Sequence, residues 1–322
     1  MTLRVWTIGA RGLLGAACVR SVLRRAPYWV AHESRPLPWS DASRFADAVD
    51  EAGREFIDAL NEGDEWAVLW AGGAAVTSTP QALLDHEIDQ LTIALDAIGR
   101  AARIRNVESQ GTFFYASSAG GVYGGSVDPP FDERTLPAPI SPYGQFKVVA
   151  EKTVRQFSDR YEVSSAIGRI SNLYGPGQRM DKMQGIISHL ALAQYSPRPA
   201  SIFVPLETVR DYFYVDDCAD LVCRFVGRVR DETRTAGTVS VTKNLVSGQG
   251  VTIGELLGLM RDVSKGHPHV MLGSSSTAAL QAVDLRIQSN VWPELDRVEK
   301  TPLAAGIFAT MQNILSSIQR GQ

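Results

Sequence analysis

The sequence predicts an α/β fold, a doubly wound parallel sheet covered by helices on both faces and followed by a smaller α+β region. Three observations carry that expectation. Short apolar runs alternate with helix-like stretches, the first run opens directly into a glycine triplet and a helix, and the alternation loosens after about residue 170. Strands that are apolar throughout need cover on both faces, which βαβ units supply. In chain order the expected strands are Leu3 to Ile8, Trp29 to Ala31, Ala67 to Ala71, Thr112 to Ala116 and Ser165 to Ile170. The expected helices between them are Leu13 to Arg25, Gln81 to Ile104 and Tyr143 to Arg160. Beyond these, Gly175 to Pro205 holds four prolines and a short helical stretch, Ile186 to Gln194. Asp211 to Val215 reads as a strand or loop, Ala219 to Val229 as a helix and Gly237 to Val241 as a strand. Thr252-Ile253-Gly254-Glu255 reads as a capping box, because its hydroxyl and carboxylate each satisfy an exposed first-turn amide. The expected division is 1–170 with about 206–245 as one domain and about 171–205 with 246–322 as the other, partly interleaved.

Composition excludes several classes. There are 32 Lys+Arg against 35 Asp+Glu, a net charge of −3, and no basic stripe, so nucleic acid is not an expected partner. The longest apolar run, Trp66 to Val76, is 11 residues with two glycines, against roughly 20 for a bilayer span. No membrane association is expected. The start, Met1-Thr2-Leu3-Arg4-Val5, lacks a secretory leader, and the three cysteines, Cys18, Cys218 and Cys223, match neither a disulfide framework nor a metal site. A cytoplasmic location follows as the expectation. His267-Pro268-His269 has a ligand-like spacing but no third ligand nearby, so it reads as a loop and no metal is expected.

Two stretches carry chemistry. Gly9-Ala10-Arg11-Gly12-Leu13-Leu14-Gly15 follows the first strand and opens the first helix. Glycines there allow a tight turn and close approach to a pyrophosphate, while the helix N-terminus offers amides and a positive dipole end. Glu33, 24 residues after Gly9, stands where a carboxylate would bind the adenosine ribose and favours NAD; Arg35 would instead meet a 2′-phosphate, leaving NADP open. In Ser141-Pro142-Tyr143-Gly144-Gln145-Phe146-Lys147, a cap and a first-turn proline put Tyr143 and Lys147 one turn apart on one helix face. An ammonium beside a phenol lowers the phenol's pKa and makes it a usable acid or base. Upstream, the apolar strand through Tyr115 ends in Ser117-Ser118 and a glycine-rich loop, at the sheet end where open α/β folds bind ligands.

Together with Arg169-Ile170-Ser171-Asn172-Leu173-Tyr174-Gly175-Pro176-Gly177-Gln178 and Arg210-Asp211-Tyr212-Phe213-Tyr214-Val215-Asp216-Asp217, these motifs resemble the extended short-chain dehydrogenase/reductases, specifically the NAD-dependent epimerase/dehydratase family acting on nucleotide sugars. The resemblance runs through nearly the whole chain. It implies a Rossmann-type domain holding NAD(P), a smaller domain holding a nucleoside-diphospho-sugar, and a homodimer packed through Gln81 to Ile104 and Tyr143 to Arg160. It implies cofactor contacts at Gly9, Gly12, Leu13, Leu14, Gly15, Glu33, Arg35, Ala71 and Lys147. By the same resemblance Tyr143 exchanges a proton with a sugar hydroxyl, Lys147 lowers the Tyr143 pKa and holds the nicotinamide ribose, and Ser118 hydrogen-bonds the sugar oxygen. An extra glycine before Val122 leaves Ser117 as the alternative serine. Asn172, Arg210 and, by a looser match, Arg286 in Val283-Asp284-Leu285-Arg286 would bind the substrate near its diphosphate. On its own, Arg210-Asp211 reads as a surface ion pair.

Dehydrating and decarboxylating members resemble one another in an acidic residue just after the strand-end hydroxyl. Here those positions are Ala119 and Gly120, which transfer no protons. Epimerisation through a transient keto sugar is the favoured reaction, NADPH-dependent reduction of a keto sugar the alternative, and a non-catalytic dinucleotide sensor or scaffold the reading from another class. Two departures from the family stand out. His86-Glu87-Ile88-Asp89-Gln90 replaces an Asn-rich helix start, and the interval from Glu33 to Trp66 is short, with Asp41 as a stand-in adenine contact. The segments Met183 to His189 and Ser201 to Pro205 would shape the sugar pocket without naming the nucleobase, the sugar or the reacting carbon.

Overall fold

The computed structural model describes residues 2–179, 185–266, 269–273 and 282–320; Met183, His267 and Pro268 lie outside them. The chain runs β1 (Leu3–Ile8), α1 (Leu13–Leu23), β2 (Trp29–His32), α2 (Ala42–Asp58), β3 (Glu65–Trp70), α3 (Gln81–Arg105), β4 (Gly111–Ser118), the single turn α4 (Ala119–Val122), α5 (Pro142–Tyr161) and β5 (Ser164–Ile170). It continues through β6 (Asn172–Tyr174), α6 (Ile186–Ala193), β7 (Ala200–Ile202), β8 (Val209–Tyr214), α7 (Val215–Ala236), β9 (Ser240–Leu245), β10 (Gly250–Thr252), α8 (Ile253–Ser264), β11 (Val270–Leu272), β12 (Asp284–Leu285) and α9 (Leu303–Gln319). Six strands form one parallel sheet in the order β2-β1-β3-β4-β5-β9, a Rossmann-type arrangement.

Strand β3 explains why the strands read as continuously apolar. Its Trp66, Val68 and Trp70 enter the core under α2, α3 and α5, while Ala67 and Leu69 enter the core under α1 and α7. Successive side chains take opposite faces, so a sheet covered twice needs no polar alternation. The order reverses beside β1, where β2 lies on one side and β3 on the other. Ligands of open α/β sheets bind beyond the strand ends at such a switch point.

Helix α2 occupies the interval that looked short in sequence. Asp41 is its N-cap, accepting from the Arg44 amide at 3.1 Å, so one carboxylate oxygen is engaged within the helix start. Gly237 ends α7 with φ +81, which moves the strand expected at Gly237 to Val241 on to Ser240–Leu245. The capping box at Thr252 and Glu255 is present with both of its bonds.

The smaller region has its own sheet, in which β6 and β12 pair parallel and β10 pairs antiparallel with β8. A separate two-stranded piece joins β7 and β11. Ile187, Leu190, Leu256, Met260, Ile307 and Met311 pack α6, α8 and α9 into one core. Of residues 206–245, α7 and β9 join the main layers while β8 belongs to this sheet. Among the described residues no helix is long and apolar enough to cross a membrane.

Candidate active site

The glycine turn sits between β1 and α1 at the switch point. Gly9 has φ +86, and a Cβ there would stand 2.5 Å from the Gly72 nitrogen, so both the backbone region and the contact require glycine. A Cβ on Gly15 would run into the Gly9 carbonyl oxygen. Helix α1 begins at Gly12 with no side-chain cap and no acidic residue in its first turn. The amide end at Leu13 and Leu14 is therefore open to an anion. Ala71 adjoins this turn through its amide bond to the Ile8 carbonyl at 2.9 Å. These residues fit a dinucleotide pyrophosphate. Glu33 and Arg35 are both exposed just past β2, and neither forms an ion pair among the described residues.

At the far end of β4 the Tyr143 ring packs against Gly121, where an added Cβ would stand 3.2 Å from it, and the Ser118 hydroxyl at the same strand end pulls the phenol pKa down. Ser118 also caps α4, accepting from the Gly121 amide at 3.2 Å. Its neighbour Ser117 points the other way and donates to Glu151 at 2.7 Å, because adjacent strand residues face opposite sides. Glu151 holds the buried Arg169 guanidinium through two bonds, at 2.9 and 2.7 Å. Ser117 is thus committed to a buried ion network away from Tyr143.

Ser141 caps α5 by accepting from the Gly144 amide at 3.1 Å, with Pro142 in the first turn. This fixes where Tyr143 and Lys147 emerge. The Lys147 ammonium donates to the Tyr115 hydroxyl at 3.2 Å and the Ala116 carbonyl at 3.0 Å, and lies 5.7 Å from the Tyr143 ring centre. Burial pushes the Tyr143 phenol up to about 12, against the downward pull of the Ser118 hydroxyl. Burial also brings Lys147 down to about 8, against the opposing pull of Glu87 and Glu151. The unliganded pair is a protonated phenol beside a weakened ammonium.

The substrate-side residues gather on the small sheet. Arg210 is buried, donates to the Val209 carbonyl at 2.8 Å and has no carboxylate partner among the described residues. Asp211 does not pair with it, which corrects the surface ion-pair reading. It is buried on the opposite strand face, where it accepts from the Ser171 hydroxyl and the Ser247, Gly248 and Gln249 amides. Arg286 follows β12, which pairs with β8 so that Leu285 stands opposite Arg210. Its exposed guanidinium pairs with Asp284 at 2.8 Å. Asn172 opens β6, exposed, opposite Tyr212. Two groups beside the pair were not singled out from sequence. Tyr115 was legible only as strand core, and Glu87 only as part of the altered helix start.

Known proteins resemble the chain at several levels. The model of the NAD dependent epimerase/dehydratase family matches residues 5–237. The dTDP-4-dehydro-6-deoxyglucose reductase of Escherichia coli is 36% identical over 143 residues, 44% of this chain and 42% of that protein. The UDP-glucose 4-epimerase of Mycolicibacterium smegmatis is 30% identical over 136 residues, 42% of each chain. Both matches span less than half of the relative's length. RMD from Pseudomonas aeruginosa, solved in complex with NADPH, superposes with a TM-score of 0.76 at 18% identity, over 98% of this chain and 99% of that one. This last likeness is one of fold.

Proposed function

This chain belongs to the NAD dependent epimerase/dehydratase family, and on that premise we propose that it is a nucleotide-sugar epimerase that holds NAD tightly and acts through Ser118, Tyr143 and Lys147. The observation that supports the reading is that Ser118 caps the turn at the end of β4, the Tyr143 ring packs on Gly121 of that turn, and Lys147 stands one turn along α5. Bound at the glycine turn, a nicotinamide dinucleotide would supply reversible hydride transfer at one sugar carbon. Tyr143 takes the proton from the sugar hydroxyl and gives it back, while Ser118 holds the sugar oxygen. Lys147 supplies the positive charge that makes the phenol a competent base once the cleft is filled. Gly9, Gly12, Leu13, Leu14, Gly15 and Ala71 seat the pyrophosphate, and Glu33 binds the adenosine ribose.

Arg210 suits the substrate diphosphate, being a buried guanidinium that lacks a carboxylate and gains one bidentate anion on binding. Arg286 and Asn172 complete that end. The halves divide as a dinucleotide unit of 1–170 with α7 and β9, and a substrate unit of the remainder. Dehydration and decarboxylation are disfavoured by Ala119 and Gly120. A homodimer would pack through α3 and α5, where Leu83 and Val149 stay exposed. The three cysteines are free and buried, which suits a reducing cytoplasm.

A second reading, NADPH-dependent reduction of a nucleoside-diphospho-keto-sugar, is favoured by Arg35 and by the likeness to the E. coli reductase. Denaturing the purified protein and identifying the nucleotide released separates the two. Near-stoichiometric NAD supports the epimerase. An empty site that prefers NADPH supports the reductase. Full biological activity in Tyr143→Phe would leave only a non-catalytic dinucleotide sensor.

A further inference from the structure

The carboxylate of Glu87 lies in the wall that α3 turns toward the Lys147 side of the cleft. Its Oε1 accepts the Ala74 amide at 2.7 Å. The loop after β3 comes close because residue 73 is glycine, with φ +134 and an implied Cβ only 3.0 Å from the Glu87 Oε2. Glu87, Lys147, Tyr115, Gly72 and Phe146 line one small cavity. No ion pair within 4 Å joins Glu87 to any cation among the described residues, so its charge acts across that cavity. The other groups facing Lys147 offer less. Tyr115 from β4 and Tyr143 on α5 are protonated phenols, and Ala116 contributes a carbonyl. Glu151, one turn along α5, is already neutralised by Arg169 and Arg155 and bonded by Ser117.

We propose that Glu87 is the counter-charge of Lys147, a positioning residue that keeps the buried amine protonated while its Ala74 bond holds the loop after β3 beside it. A buried ammonium is costly, and a half-buried carboxylate lining the same cavity with no ion-pair partner among the described residues offsets part of that cost. The Lys147 amine accordingly feels Glu87 as the first of the two charges opposing its burial. The importance of a charged Lys147 rests on the proposed function; the coupling itself does not.

The test is competitive labelling of lysines with 1-fluoro-2,4-dinitrobenzene, from about pH 6 to about pH 11, on the full chain without dinucleotide or sugar. Mass spectrometry of the peptides follows Lys147 against exposed Lys152. In the parent chain Lys147 is expected to titrate near 8, well below the ordinary lysine value of 10.5. Glu87→Gln keeps an oxygen for the Ala74 amide and removes only the charge, so the Lys147 titration should drop by about one further unit. Glu87→Asp, which keeps the charge but withdraws it by one methylene, should fall between the two. An unchanged Lys147 in a folded Gln variant overturns the proposal, as does a parent Lys147 that titrates at the ordinary lysine value of 10.5. If the Gln variant does not fold, the Asp variant decides, a drop supporting the coupling and no drop overturning it. Since the labelling uses no cofactor or substrate, its failure is separate from any failure of the epimerase reading.

Discussion

The Lys147 ammonium donates to the Tyr115 hydroxyl at 3.2 Å and lies 5.7 Å from the centre of the Tyr143 ring. Burial keeps the Tyr143 phenol protonated.

Tyr143→Phe removes the hydroxyl proposed to carry the proton while keeping the ring that packs beside Phe146. Turnover of a nucleotide sugar should fall about 10²–10⁴-fold, with dinucleotide binding and melting temperature near those of the parent. Ser118→Ala should lower turnover less and also loosen the α4 turn that Ser118 caps.

Lys147 gives stability a distinctive pH dependence. Its ordinary value is 10.5, and burial brings it to about 8 in the folded chain. Between those values the unfolded chain holds the extra proton, so stability gained from this residue rises with pH across the window, and its full cost persists below pH 8. Above pH 10 the raised Tyr143 acts in the opposite direction. Melting curves of the parent and Lys147→Met at pH 7, 8.5 and 10 check this: the gap favouring Met should shrink as pH rises, and a constant gap contradicts it.

Gly9→Ala forces a side chain at φ +86 into the Gly72 backbone. The strain should cost about 1–3 kcal/mol in urea unfolding, and dinucleotide affinity should be lost with it.

Arg210→Met keeps the buried apolar stem and removes the charge. The KM for a nucleoside-diphospho-sugar should rise about 10–100-fold with kcat changed far less, as expected for a lost charge-assisted bond to a non-reacting group. Arg210→Lys should rescue little, because a single ammonium cannot reproduce a bidentate fork.

The Glu151–Arg169 pair is buried on both sides and bonded twice. Glu151→Ala leaves a buried guanidinium stranded and should lower unfolding free energy by about 3–5 kcal/mol. Glu151→Gln, which retains an acceptor, should cost less.

Local sequence signals led directly to α1 and α5, since a glycine turn and a Ser-Pro start act within one helical turn of the residues they control. Helix α2, absent from the expected elements, carries the same kind of signal in Phe45, Val49, Ala52 and Phe56 at helical spacing. Of the small sheet only β8 was legible, as the strand or loop at Asp211 to Val215, because β6, β8, β10 and β12 are two to six residues long and pair across long intervals.

By itself the sequence determined the parallel sheet, the glycine turn at its switch point and the one-turn spacing of Tyr143 and Lys147, all consequences of periodicity and short-range geometry. Tertiary structure decided the rest. That Ser117 turns to Glu151 while Ser118 caps α4, that Asp211 is buried apart from Arg210, and that Glu87 shares a cavity with Lys147 all depend on how α3, β4 and β8 pack. Charges and hydroxyls far apart in the chain acquire their protonation and partners only when packing removes water between them.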